Sequence, residues 1–169
     1  MSETEKAGQP RTGGCQCGAV RFRINGQLGR ASICHCRMCQ KAFGGFFGPL
    51  VSAPKEGVEW TRGEPKYFQS SVNIDRGFCA DCGTPLSYEA DDGVALSAGS
   101  FDEPAFLPPV VQFGVEGKLP FVDELHALPG RHTMEDLDAA PFLDDIISNQ
   151  HPDHDTTDWP LRPGHPEDK

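Results

Sequence analysis

All seven cysteines of the chain fall in three tight groups. Cys15 and Cys17 form a C-x-C pair, Cys34, Cys36 and Cys39 a C-x-C-x-x-C triplet, and Cys79 and Cys82 a C-x-x-C pair. A structural zinc ion takes four ligands, and a catalytic one takes three and keeps a position open. Seven divides into four and three, so the count suggests two zinc ions per chain, one structural and one catalytic. The two pairs could converge from distant parts of the chain: Cys15, Cys17, Cys79 and Cys82 would then close one site and couple it to folding. The triplet can wrap one ion by itself, with its fourth position open to water or a substrate sulfur. Zinc there would lower a thiol's pKa and hold it as the thiolate, activated toward a carbonyl carbon. Two alternatives stand beside this: a second closed site completed by a side chain such as His35, or an empty one. His35 lies between two ligand positions and points away from them in an extended chain, so it reads as a packing residue.

The neighbours of the triplet offer little other chemistry. Arg37 and Lys41 are the nearest cations and could meet the carboxylates of a peptide-like thiol; the plainer reading is surface charge. Phe46, with Phe43 and Phe47, could line an apolar wall beside the metal, or simply pack. No Ser-His-Asp order, phosphate loop or paired acid and base appears, so the chemistry would be the metal's. His126, His132, His151, His154 and His165 read as solvated side chains.

Short strands must position these residues. Ala19–Ile24 alternates apolar and polar residues and predicts a half-buried strand, closed by a turn at Asn25-Gly26. Further strands are expected at Ala31–Cys34, at Phe46–Val51 with a break at Pro49, at Val58–Trp60 and Pro65–Ser70, and at Val110–Val115; Val72–Phe78 leads to the last cysteine pair. Pro85–Glu89 and Val94–Ala98 predict a hairpin across Asp91-Asp92-Gly93. A C-x-C on a strand presents both thiolates on one face. The C-x-x-C needs a tight turn, for which Gly83 supplies backbone freedom. A short helical turn is expected at Gln40–Ala42, and modest helical signals at Met134–Leu137 and Phe142–Ile147. With 19 Gly and 15 Pro in 169 residues, the composition also fits a loop-rich, β-rich globule.

The formal charge of −10 is uneven: residues 12–128 balance at −3 and residues 129–169 at −7. A near-neutral core argues against nucleic acid, which needs a basic field. No apolar run is long enough to span a membrane, and the polar N-terminus has no signal core. A cytoplasmic protein is the expectation, and in that reducing compartment clustered cysteines read as metal ligands rather than disulfides. The organisation expected is a flexible stretch 1–11, one domain over 12–128 and an acidic, irregular extension over 129–169. Trp159 and Leu161 in that extension form an apolar patch able to dock. The sequence leaves the oligomeric state open.

Three motifs resemble one known family. Gly13-Gly14-Cys15-Gln16-Cys17-Gly18-Ala19-Val20-Arg21, Cys34-His35-Cys36-Arg37-Met38-Cys39-Gln40-Lys41 and Phe78-Cys79-Ala80-Asp81-Cys82-Gly83-Thr84-Pro85-Leu86 are similar to the glutathione-dependent formaldehyde-activating enzymes, a family that includes centromere protein V. The resemblance covers roughly residues 12–124. It implies a mainly β fold, a tent-like pair of antiparallel sheets around zinc. It implies Cys15, Cys17, Cys79 and Cys82 as structural ligands and Cys34, Cys36 and Cys39 as catalytic ones. It also implies a carbon–sulfur lyase acting in the direction of addition, with glutathione and formaldehyde as partners. Gln112, where many members carry His, and Phe121, where they often carry Trp, depart from the pattern. Two other readings remain at this stage: a zinc-binding thiol carrier without turnover, and a protein-interaction module.

Overall fold

The computed structural model describes residues 11–136, 140–145 and 148–157. Strands β1 (Arg11–Gly14), β2 (Arg21–Ile24) and β5 (Val58–Arg62) form a three-stranded antiparallel sheet in the order β1-β2-β5. The second sheet contains β3 (Ala31–Cys34), β4 (Gly48–Ala53), β6 (Lys66–Ser71), β7 (Ile74–Phe78), β8 (Pro85–Ala90), β9 (Gly93–Ser97) and β10 (Val111–Phe113). Its order is β10-β3-β4-β9-β8-β7-β6. The expected mainly β, two-sheet architecture is present, with one difference: β10 runs parallel to β3, so the larger sheet is mixed.

The core lies between the sheets. Phe22 and Ile24 of β2 meet Val51 of β4, Leu86 of β8 and Leu96 of β9, all fully buried. Phe22 also packs edge-on against Trp60 and Phe101, with ring centroids 5.9 and 5.1 Å apart. Period-two alternation on short strands is what lets each sheet give one face to this core.

Pro49 does not break its strand. It is the second residue of β4, opposite Ile33 and one position beyond the first β9 pair at Leu50, so no ladder on the β9 side asks it for a donor. The turn expected near Gln40 is a seven-residue helix, α1 (Arg37–Phe43). Cys36 caps its start, its sulfur accepting from the Cys39 amide at 3.4 Å, and Gly44 ends it in the left-handed conformation. The later helical signals appear as 3₁₀ turns at Thr133–Asp136 and Pro141–Asp145; Leu137, Ile146 and Ile147 lie outside the described residues, as do Trp159, Leu161 and His165.

Residues 148–157 return to the smaller sheet. The His151 amide donates to the Gln16 carbonyl at 2.8 Å. Arg62 donates to the carbonyl oxygen of Thr156, and to the Thr156 hydroxyl at 3.0 Å. Buried Arg21 forks onto Asp102 at 2.8 and 2.6 Å and reaches Asp155 at 2.9 Å. His151 is therefore not a solvated side chain: it is 3% exposed, with Nε2 3.0 Å from the Thr156 hydroxyl and 3.3 Å from Arg62.

Candidate metal centres

The first pair of cysteines sits in the β1–β2 connection rather than on a strand. The Val20 amide donates to Cys15 Sγ at 3.2 Å, and the Gly18 amide to the Cys15 carbonyl at 3.0 Å, which folds the segment into a knuckle. Cys79 and Cys82 sit in the β7–β8 connection. There the Gly83 amide donates to the Cys79 carbonyl at 2.9 Å, and Gly83 takes a φ of +78°, the freedom its position called for.

The two knuckles meet. The sulfurs of Cys15, Cys17, Cys79 and Cys82 all lie within 4.8 Å of one another. Cys15 and Cys17 are 3.5 Å apart and Cys17 and Cys79 3.7 Å. Zinc–sulfur bonds of about 2.3 Å at tetrahedral angles put sulfurs roughly 3.8 Å apart, so the four fit such an ion. All seven cysteines are free thiols.

As thiols the four could not all ionise together. Burial pushes Cys79 up to about 11 and raises Cys17 further still. At Cys82 burial works the same way, but hydrogen bonds from Thr84 and Cys17 outweigh it and bring the group down to about 6. A buried divalent cation removes this conflict by favouring every thiolate.

The triplet is built differently. Cys34 ends β3, Cys36 caps α1 and Cys39 lies in its first turn, with the three sulfurs again within 4.8 Å. Burial pushes Cys34 up to about 12. Cys36 is lowered in spite of burial, by the Cys39 amide and the neighbouring thiols.

His35 points away from the sulfurs, as its position between them suggested. It is fully buried, 2.9 Å from Gln112 Oε1 through Nε2 and edge-on to Phe47 at 5.9 Å. Gln40 secures this corner, donating through Nε2 to the His35 carbonyl at 2.7 Å and the Gly117 carbonyl at 3.0 Å. Gly114 is needed on the far wall: its φ is +60°, and a Cβ there would come within 2.9 Å of the Cys36 nitrogen.

Cys34, Cys36 and Cys39 open onto a cavity of about 500 Å³ whose wall also includes Ser32, Ile74, Arg76, Tyr88, Asp92 and Phe113. Cys15, Cys17, Cys79 and Cys82 do not line it. Nor do Arg37, Lys41 and Phe46. Arg37 is exposed and bonds Gln40, Lys41 is exposed, and Phe46 stacks edge-on against Phe121 at 5.0 Å.

The cation in the cavity is Arg76, which proximity in sequence did not indicate. It is 8% exposed, and its Nη2 donates to Cys39 Sγ at 3.4 Å. Arg76 shares the phase of Ile74 and Phe78 in β7, so a charge stands among the apolar positions of a strand; in the sheet it lies on the face that carries Tyr88, Ala95 and Ser52, away from the Val51 and Leu96 core.

The profile of the glutathione-dependent formaldehyde-activating enzyme family matches residues 10–116. No protein of the curated set matches the chain. Among solved structures, a crystal structure of a Rhodobacter sphaeroides protein from a structural-genomics programme is similar in fold, with a TM-score of 0.50 at 20% identity. The similarity covers 60% of this chain and 98% of that one.

Proposed function

The chain belongs to the glutathione-dependent formaldehyde-activating enzyme family, and from that premise we propose that it is a two-zinc enzyme adding a small thiol to an aldehyde. Cys15, Cys17, Cys79 and Cys82 hold the structural ion in this reading, and Cys34, Cys36 and Cys39 the catalytic one. The observation that carries the proposal is the cavity: it opens onto the three-sulfur centre and excludes the four-sulfur one. Zinc, when bound by three thiolates, supplies a soft open position at which a thiol ionises near neutral pH.

The chain's own residues do the rest. Phe113, Ile74 and Leu50 give the cavity an apolar wall beside the sulfurs. The thiol loses its proton, its sulfur forms a bond to the carbonyl carbon, and the carbonyl oxygen gains a proton. With glutathione and formaldehyde the product is S-hydroxymethylglutathione, the reverse of a carbon–sulfur lyase reaction. Arg37 and Lys41, exposed on α1, are the candidates to meet ligand carboxylates outside the cavity.

The test is a cobalt-substituted protein titrated with glutathione and with its S-methyl derivative, followed by formaldehyde consumption. Glutathione alone is expected to change the thiolate-to-cobalt bands, and formaldehyde is expected to disappear in its presence. Identical responses to both compounds would remove sulfur ligation from the site. A glutathione response without consumption would make the protein a thiol carrier.

A further inference from the structure

Arg76 is a buried guanidinium that no carboxylate pairs with among the described residues. Its Nε donates to the Ser70 hydroxyl at 3.1 Å, its Cζ lies 5.1 Å from the centroid of the Tyr88 ring, and its Nη2 reaches Cys39 Sγ at 3.4 Å. Asp92 is the carboxylate on the cavity wall; it is exposed and does not bond Arg76. A buried charge is costly unless something opposite answers it. Here the answer is the sulfur cluster, and the guanidinium is held on the cavity wall right beside it.

We propose that Arg76 is an oxyanion-binding residue, which receives a negatively charged oxygen carried on the carbon next to a sulfur held at the Cys34, Cys36 and Cys39 centre. The proposal rests on the reading of that centre as the place where a thiol meets an aldehyde, and it goes further by assigning the electrophilic group.

Bond counting selects the ligand atom. A group that touches Arg76 while its own sulfur sits among these cysteines must be only a few bonds from that sulfur. The carboxylates of a peptide-like thiol are many bonds away. The oxygen of the aldehyde is two bonds away once the new bond exists. As the sulfur electron pair forms the C–S bond, the π pair of the carbonyl moves onto oxygen. That oxygen accepts a hydrogen bond from the guanidinium, whose N–H groups only donate. Water then delivers the proton that makes the hydroxyl, matching the proton lost by the thiol. Ser70 and Tyr88 fix the guanidinium before charge develops, which is where preorganised donors are most effective.

Two small thiols separate this role from others. Mercaptoacetate carries a carboxylate on the carbon that bears the sulfur; 2-mercaptoethanol carries a neutral hydroxyl in a similar place. Titrated into the cobalt-substituted chain, mercaptoacetate is expected to bind more tightly by about tenfold or more. Arg76→Met is expected to abolish that preference while changing 2-mercaptoethanol affinity by less than about threefold, and Arg76→Lys to restore part of it. Arg76→Gln serves the same purpose if the methionine variant does not fold. With formaldehyde as substrate, Arg76→Met is expected to lower kcat about 10²–10³-fold with little change in KM for the thiol.

The proposal is overturned if the wild-type protein shows no preference, if Arg76→Met keeps it, or if both thiols weaken equally. An intact, Arg76-dependent preference in a protein that consumes no formaldehyde would uphold the oxyanion site and overturn the addition reaction instead.

Discussion

Each sulfur is placed by what its partners tie together. Cys15 and Cys17 reach Cys79 and Cys82 across more than sixty residues, and their knuckles join the smaller sheet at β1–β2 to the larger at β7–β8. Losing one ligand there would release a long-range link and leave three thiolates partly buried. The triplet is local, held within β3 and α1 by backbone bonds that do not need an ion. Cys82→Ser is therefore expected to lower the melting temperature sharply or to yield insoluble protein. Cys39→Ser is expected to melt close to the wild type while losing about one of two zinc ions by elemental analysis. Equal destabilisation by the two substitutions would contradict this division. The cysteines were legible because their chemistry is carried by spacing alone. Arg76 was not, because it meets Cys39 only after β7 is laid across the sheet, 37 positions away in the chain.

At the scale of elements, the triplet depends on the junction of β3, α1 and β10. The strand and hairpin signals from Ala31 to Ser97 were readable from alternation and turn residues, and the structure keeps most of them within a residue or two. The parallel pairing of β10 with β3 was not readable. A three-residue strand has too little pattern to declare its partner, and β10 follows its partner by some eighty residues. Gln40 does much of the joining. Its buried amide serves the carbonyls of His35 and Gly117, one on each side of the corner. Gln40→Leu keeps the volume and removes both donors, leaving two carbonyls without these partners. The expected cost is about 1–3 kcal/mol, read as a fall of several degrees in melting temperature. Cobalt should also bind more weakly at the triplet, because Cys36 and Cys39 ride on α1. An unchanged melting temperature would show that water replaces the amide without loss.

For the molecule as a whole, the segment 148–157 couples the acidic end of the chain to the first cysteine knuckle. Its docking uses single residues, His151, Asp155 and Thr156, spread through a stretch with no periodicity, so the sequence read as an irregular acidic extension with solvated histidines. His151 makes this contact sensitive to pH. Its Nδ1 is 2.7 Å from the Pro152 carbonyl, which requires the proton there and leaves Nε2 to accept from Arg62 and Thr156. Burial first, and then the positive charges of Arg21 and Arg62, outweigh the Pro152 carbonyl and Asp102 and hold His151 below its ordinary value of 6.5. The unfolded chain then binds the extra proton more readily than the fold does, so this contribution to stability rises with pH. It is complete above about pH 6.5 and is lost as the pH falls through that value toward the lowered pKa of the folded state. Protonation of the cysteines in acid weakens both centres in any variant, so the informative quantity is a difference. Between about pH 8 and about pH 5.5, wild-type protein is expected to lose more degrees of melting temperature than His151→Gln, whose neutral amide gains no charge. Zinc content measured at both pH values should stay the same in the two proteins. Equal losses from the two would mean that the segment is held by the Arg21 and Asp155 pair regardless of His151, and that acid acts on the fold through the cysteines alone.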